Sequence, residues 1–195
     1  EAEAKGLEIV ADEAFTADSK TDFKTQLQKC QDEGAELIFM PFYYTEASIV
    51  LKQANEMQYA PIFFGVDGMD GILGVENFDT SLAEGVYLLT PFAADATDDA
   101  TVSFVNAYQA AYGETPIQFA ADAYDAIYII KAAIEETGVT PDMSVSEIGT
   151  ALTGALPNIS VDGLTGAGMT WDASGAVSKA PMAVIIKDGA YASVE

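Results

Sequence analysis

Histidine is absent from this chain, and cysteine occurs once, as Cys30. Those two gaps exclude zinc fingers, haem attachment, Ser-His-Asp and Cys-His catalysis and any intrachain disulfide framework. Basic residues are scarce as well: 8 Lys and Arg stand against 31 Asp and Glu, a formal net charge of −23. A surface of that sign repels phosphate backbones and anionic lipid heads, which argues against nucleic-acid and membrane-surface roles, while a cationic or zwitterionic partner stays open. Apolar runs are short, none reaching the roughly 18 residues that a membrane-spanning helix needs. No GxGxxG or Walker pattern occurs, so nucleotide binding has no motif to rest on. What is present suits a packed core. Of 195 residues, 50% are hydrophobic and only 20% charged, enough for one large domain or two small ones.

The opening Glu1-Ala2-Glu3-Ala4-Lys5-Gly6 has no initiator Met and reads as the tail of a helix ending at a glycine, so a fragment is expected. Leu7–Val10 is a strand-like apolar run. Phe23, Leu27 and Cys30 then recur at helical spacing up to Gly34, with Cys30 as a small core residue. Residues 36–41 form a nearly continuous apolar run, the pattern of a strand covered on both faces. Thr45 is placed to cap the next helix, whose stripe is Ile49, Val50, Leu51, Ala54 and Met57. Pro61–Gly65 and Val86–Thr90 give further buried strands. This alternation with short connections predicts an α/β fold with parallel strands joined by right-handed crossovers.

Beyond residue 90 the pattern changes. Helices are expected over about 100–112 and 119–137, the second apolar nearly all round and therefore heavily buried, and over 145–156 behind a Ser144 cap. Residues 164–171, a turn at 172–175, the run 182–187 and a turn at Asp188-Gly189 read as an antiparallel β tail. The helical stretch carries apolar faces but supplies no sheet for them, which places the missing sheet upstream of residue 1.

Ligands of open parallel sheets gather beyond the strands' carboxyl ends. Here those ends are Pro41-Phe42-Tyr43-Tyr44-Thr45-Glu46 and Gly65-Val66-Asp67-Gly68-Met69-Asp70-Gly71. Aromatic rings facing a carboxylate suit an ammonium group: the ring face attracts the cation and the acid accepts its hydrogen bonds. The competing reading makes the tyrosines covers for a strand edge and Asp67 a turn former. A calcium loop at 67–71 fails because Met69 and Gly71 cannot coordinate. A Glu46/Asp67 acid–base pair has only the abundance of acids behind it. Tyr124 reads as a core residue with a hydrogen-bonded hydroxyl, or as reaching a cleft.

The ordered blocks "GLEIVADEAFTADSKTDFKTQLQKCQDEGAELIFMPFYYTEASIVLKQANEMQYAPIFFGVDG", "EGVYLLTPF", "FVNAYQAAYGETP", "AADAYDAIYIIKAAIEETG" and "GLTGAGMTWDASG" resemble the type I periplasmic solute-binding proteins of ABC importers. The similarity runs over the whole chain and points to the branched-chain amino-acid-binding group. It implies two α/β lobes that close on a small ligand: 1–90 in the second, C-terminal lobe, 91–160 as the helical part of the first lobe without its sheet, and 161–195 crossing back. The first lobe's sheet, with the second lobe's first strand and most of its first helix, is expected upstream.

Carried over by position, the resemblance puts the family's ligand-packing aromatic at Tyr43 and its ammonium-binding acid at Asp67, with Phe42 and Tyr44 as neighbouring candidates. Leucine-binding members carry Glu at the place of Asp67, so the resemblance implies amino-acid binding more firmly than branched-chain preference. It further implies a non-enzymatic, extracytoplasmic protein in the periplasm or at the cell surface, where a lipid anchor is compatible, with no cofactor or metal and a membrane permease as partner. Alternatives are a sensory module of the same fold and, from another class, a carboxylate-dependent hydrolase.

Overall fold

A computed structural model describes residues 1–194. The chain forms two compact units: Glu1–Thr90 with the chain from Ala183 on, and Pro91–Met182. Each is described by itself.

The first unit is built on a five-stranded mixed sheet of order β1-β2-β3-β6-β7, with β1 Leu37–Met40, β2 Ile62–Gly65, β3 Tyr87–Thr90, β6 Met182–Lys187 and β7 Ala190–Ser193. Strands β1, β2 and β3 run parallel, in the register Met40↔Gly65 and Gly65↔Leu88. Their connections are helix α2 (Tyr44–Glu56) and a loop of short 3-10 turns, the crossover pattern expected of parallel strands. β6 and β7 form an antiparallel hairpin. Its two turn residues, Asp188 and Gly189, both have positive φ (54° and 74°), the left-handed pair that a tight hairpin requires.

Apolar side chains from α1 (Lys24–Asp32), α2 and the 3-10 turns meet one face of this sheet. Phe23, Leu27, Met40, Val50, Leu51, Met69, Ile72, Leu88, Val184 and Ile186 form that core, all nearly inaccessible to water. Cys30 is half-buried on α1, and burial pushes its thiol pKa up, which keeps it protonated.

Three local expectations are corrected here. Leu7–Val10 is not a strand: Leu7 and Ile9 are largely exposed, and no described strand pairs with the outer edge of β1, so the run has no ladder to join. β1 and β2 are covered on one face only, with Leu37, Phe39 and Ile62 about half exposed on the other. Helix α2 starts at Tyr44, so Tyr43 and not Thr45 occupies the cap position, without a side-chain cap bond. Packing decides this. Phe42, just before the cap, is held between Phe15 and Phe23, which fixes where the chain turns into the helix.

The second unit holds α3 (Asp99–Tyr112), α4 (Gln118–Thr137), α5 (Val145–Ala155) and a separate antiparallel pair, β4 (Val161–Gly163) with β5 (Gly166–Met169). The helices stop at Gly113, Gly138 and Leu156, and α5 begins with a reciprocal Ser144–Glu147 capping box. The tail is therefore split: β4 and β5 form their own ribbon while β6 and β7 complete the main sheet.

Asp125 of α4 ties that ribbon down. Its buried carboxylate accepts hydrogen bonds from Leu164 N (2.8 Å), Thr165 N (2.8 Å) and Thr165 Oγ1 (2.7 Å). Heavy burial of α4 is not observed. Gln118, Ala121, Asp125 and Ala133 face inward, while Phe119, Ile127, Ile130 and Ile134 form a second, exposed apolar stripe. Tyr124 donates to Tyr128 Oη at 3.3 Å, and its ring, packed on Phe104, stays partly exposed.

Candidate functional site

Because β1 and β2 are adjacent, parallel and in register at Met40↔Gly65, the segments that leave them emerge side by side at one edge of the sheet. Tyr43 and Asp67 each sit three and two residues beyond those ends. The loops touch through Gly68. A Cβ built on Gly68 would stand 3.1 Å from the Phe42 carbonyl oxygen and 3.3 Å from Tyr43 Cδ1, so this position has room for a backbone and little more.

The four candidate residues divide into two pairs. Tyr43 is 62% exposed and Asp67 is exposed, both at the loop surface. Phe42 and Tyr44 are half-buried and pack on the core. Phe42 meets Phe15 edge-on at 5.2 Å and stacks parallel to Phe23 at 6.4 Å between centroids. Alternation along an extended segment accounts for the division: with Tyr43 extended (φ −82°, ψ 162°), its side chain leaves opposite to those of its neighbours.

Asp67 opens a 3-10 turn, Asp67–Met69. Its Oδ1 accepts the Gly68 N–H at 2.9 Å, and its carbonyl accepts the Asp70 N–H at 3.0 Å. Met69 is fully buried, its thioether lying where a side chain on Gly65 would have to be, so the loop folds back tightly over the end of β2. At the far side, Gly71 (φ 109°, a conformation that favours glycine) donates its N–H to Tyr191 Oη at 2.9 Å. The Tyr191 hydroxyl titrates well above the usual tyrosine range, through burial and then the nearby Asp70 carboxylate. Glu46, in the first turn of α2, pairs with Lys20 at 3.1 Å. Sequence reasoning missed Tyr191, since it lies 120 residues from its partner in a strand with no motif.

This arrangement can pack a flat or aliphatic group on a phenol ring and accept hydrogen bonds from a cation at a carboxylate. A carboxylate has lone pairs for about four hydrogen bonds, of which the Gly68 N–H takes one.

Comparison with known proteins agrees with the fold. The periplasmic binding protein family model matches residues 1–190, and the chain belongs to that family, with the type I fold. A curated relative, the leucine-, isoleucine-, valine-, threonine- and alanine-binding protein of Pseudomonas aeruginosa, is 24% identical over 145 residues, 74% of this chain and 38% of that protein. Among solved structures, the branched-chain amino acid transporter substrate-binding protein LivJ of Streptococcus pneumoniae, in complex with isoleucine, matches at TM-score 0.78 and 28% identity over 97% of this chain and 52% of its own. An ABC transporter solute-binding protein of Rhodopseudomonas palustris in complex with benzoate matches at TM-score 0.82 and 18% identity, over 98% of this chain and 51% of its own. The chain thus spans 38% of the curated relative and about half of each solved one.

Proposed function

We propose that this chain supplies one wall of the ligand site of an extracytoplasmic solute-binding protein that captures an amino acid and presents it to the permease of an ABC importer, with no chemical turnover. The observation that carries the reading is the exposed Tyr43 ring and the exposed Asp67 carboxylate on adjoining loops that meet at Gly68. An α-ammonium pairs with Asp67 in a charge-assisted hydrogen bond worth about 1.5–3 kcal/mol, while the rest of the ligand packs on Tyr43. Phe42 and Tyr44 support the loop from beneath. Closure on the ligand is a population shift toward the state that contacts it on more sides.

Solved relatives hold ligands as different as isoleucine and benzoate. A carboxylate at residue 67 attracts an amine and repels an anion lacking one. The test is a thermal-shift screen of the intact protein against the twenty amino acids and benzoate. A ligand at about 100 times its Kd adds roughly 2.7 kcal/mol of stability, which shows as a clear rise in Tm. Stabilisation by one or more amino acids and none by benzoate is the expected result; stabilisation by benzoate alone overturns the amine reading.

A further inference from the structure

We propose that Tyr191, on the last strand of the sheet, is a positioning residue that holds the Asp67 loop in its ligand-competent shape. The inference rests on the function proposed above and deepens it by making the C-terminal hairpin part of the binding site's support.

Two consecutive amides make the connection. The Asp70 N–H closes the 3-10 turn by donating to the Asp67 carbonyl at 3.0 Å, and the next amide along, Gly71 N–H, donates to Tyr191 Oη at 2.9 Å. The phenol oxygen is therefore one peptide unit away from the bond that sets Asp67. The backbone amides of Ile72 and Leu73 lie within its influence too. On either side of this contact the loop is anchored in the core, with Met69 and Ile72 fully buried and Asp70 nearly so, while Asp67 alone projects to the surface. Tyr191 itself is rigidly presented: it faces Ile186 in the β6–β7 register, and Ile186 is fully buried. A buried N–H without its acceptor is costly, so removing the phenol oxygen pushes the 66–73 segment to find another arrangement, with Asp67 carried along.

The test uses the intact protein with Tyr191→Phe, which keeps the ring and removes the acceptor. Ile186→Val serves as a control that trims the core beside Tyr191 and keeps the Gly71–Tyr191 hydrogen bond. In ligand-free protein, amide exchange at Asp70–Leu73 should rise roughly tenfold or more in Tyr191→Phe, because an amide exchanges through local opening and the opening has lost its main restraint. Exchange in β1 and α2 should be unchanged, and Ile186→Val should leave the loop amides alone. With L-isoleucine as probe, calorimetry should show weaker binding for Tyr191→Phe, and no further weakening when Tyr191→Phe is added to Asp67→Ala. Unchanged loop exchange, or the same rise in Ile186→Val, overturns the proposal, as does unaltered isoleucine affinity where the parent binds it. If the parent ignores isoleucine and every other amino acid while the loop still loosens in Tyr191→Phe, the function reading fails and the clamp stands.

Discussion

The Tyr43 ring lies against the backbone of Gly68, so close that a methyl group there would sit 3.3 Å from Cδ1 and 3.1 Å from the Phe42 carbonyl oxygen. Gly68 does not adopt a left-handed conformation, so alanine is compatible with its backbone and the cost falls on these neighbours. Tyr43 is the one that can yield, because it is exposed. Gly68→Ala should therefore cost only about 1 kcal/mol of stability, the low end for overpacking, while displacing the ring of the proposed ligand wall. Calorimetry should show amino-acid affinity falling about tenfold, equivalent to roughly 1.4 kcal/mol, with Tm falling by only about 2–4 °C.

Asp67 gives the sharper result. Removing its carboxylate in Asp67→Ala takes away an exposed group, so folding stability should stay within about 0.5 kcal/mol of the parent. Binding of an amino acid should weaken by about 1.5–3 kcal/mol, roughly 10- to 150-fold. Asp67→Glu retains the charge on a side chain one methylene longer and should keep measurable affinity. Equal affinity for parent and Asp67→Ala in titration calorimetry removes Asp67 from the site.

The strand and helix pattern of residues 23–65 was legible because each element buries one continuous stripe and ends in a recognisable stop, as with Leu27 and Gly34. The turn at Asp188-Gly189 was equally clear, since both residues tolerate positive φ. Tyr43 and Asp67 came from the rule that parallel sheets bind at their carboxyl edges, joined to a family resemblance. Periodicity shows an apolar stripe but not whether anything covers it. Phe39 and Ile127 are as apolar as Met40 and Ile129 yet stand exposed. Likewise the Thr45 cap lost to the packing of Phe42 between Phe15 and Phe23, a tertiary contact that no local propensity encodes. Tyr191 and Asp125 act across 120 and about 40 residues, distances over which a sequence gives no pairing signal.

Asp125 makes the unit of α3–α5 sensitive to a single change. Its carboxylate serves three donors in the Leu164-Thr165 turn, and in Asp125→Ala the buried Thr165 N–H and the part-buried Leu164 N–H lose their acceptor, while Thr165 Oγ1 keeps only the Met169 sulfur at 3.9 Å. Each unsatisfied buried group costs about 1–3 kcal/mol, so a loss of roughly 3 kcal/mol or more is expected after partial relaxation. Asp125→Asn keeps one acceptor oxygen and should lose less. Gly163→Ala should mimic the damage, because its Cβ would come within 2.5 Å of Asp125 Oδ2. Chemical denaturation checks all three, and the order Ala worse than Asn is the informative feature.

The N-terminus of α3 supplies a pH signature. Asp98 caps this helix by accepting the Thr101 N–H at 2.9 Å, and that backbone bond, followed by the Thr101 hydroxyl, holds its carboxyl below the usual carboxylate range. A carboxyl whose folded pKa is lowered binds protons more readily in the unfolded chain. Its stabilisation is therefore fully present above the unfolded value, about 3.9, and disappears as pH falls through the lower folded value. Asp98→Asn preserves an acceptor but no longer titrates. The charge at this exposed cap is worth about 0.3–1 kcal/mol, so the parent should melt above Asp98→Asn at pH 7, with the gap closing below about pH 4. Replacing any acid also relieves the self-repulsion of a chain of net charge −23. Melts are therefore run at about 0.15 M salt, where the Debye length is about 8 Å, alongside Asp12→Asn in an exposed loop. Only the difference between the two variants belongs to the cap. A gap that stays constant from pH 7 down through pH 3 would mean that the carboxylate's charge contributes nothing to capping α3.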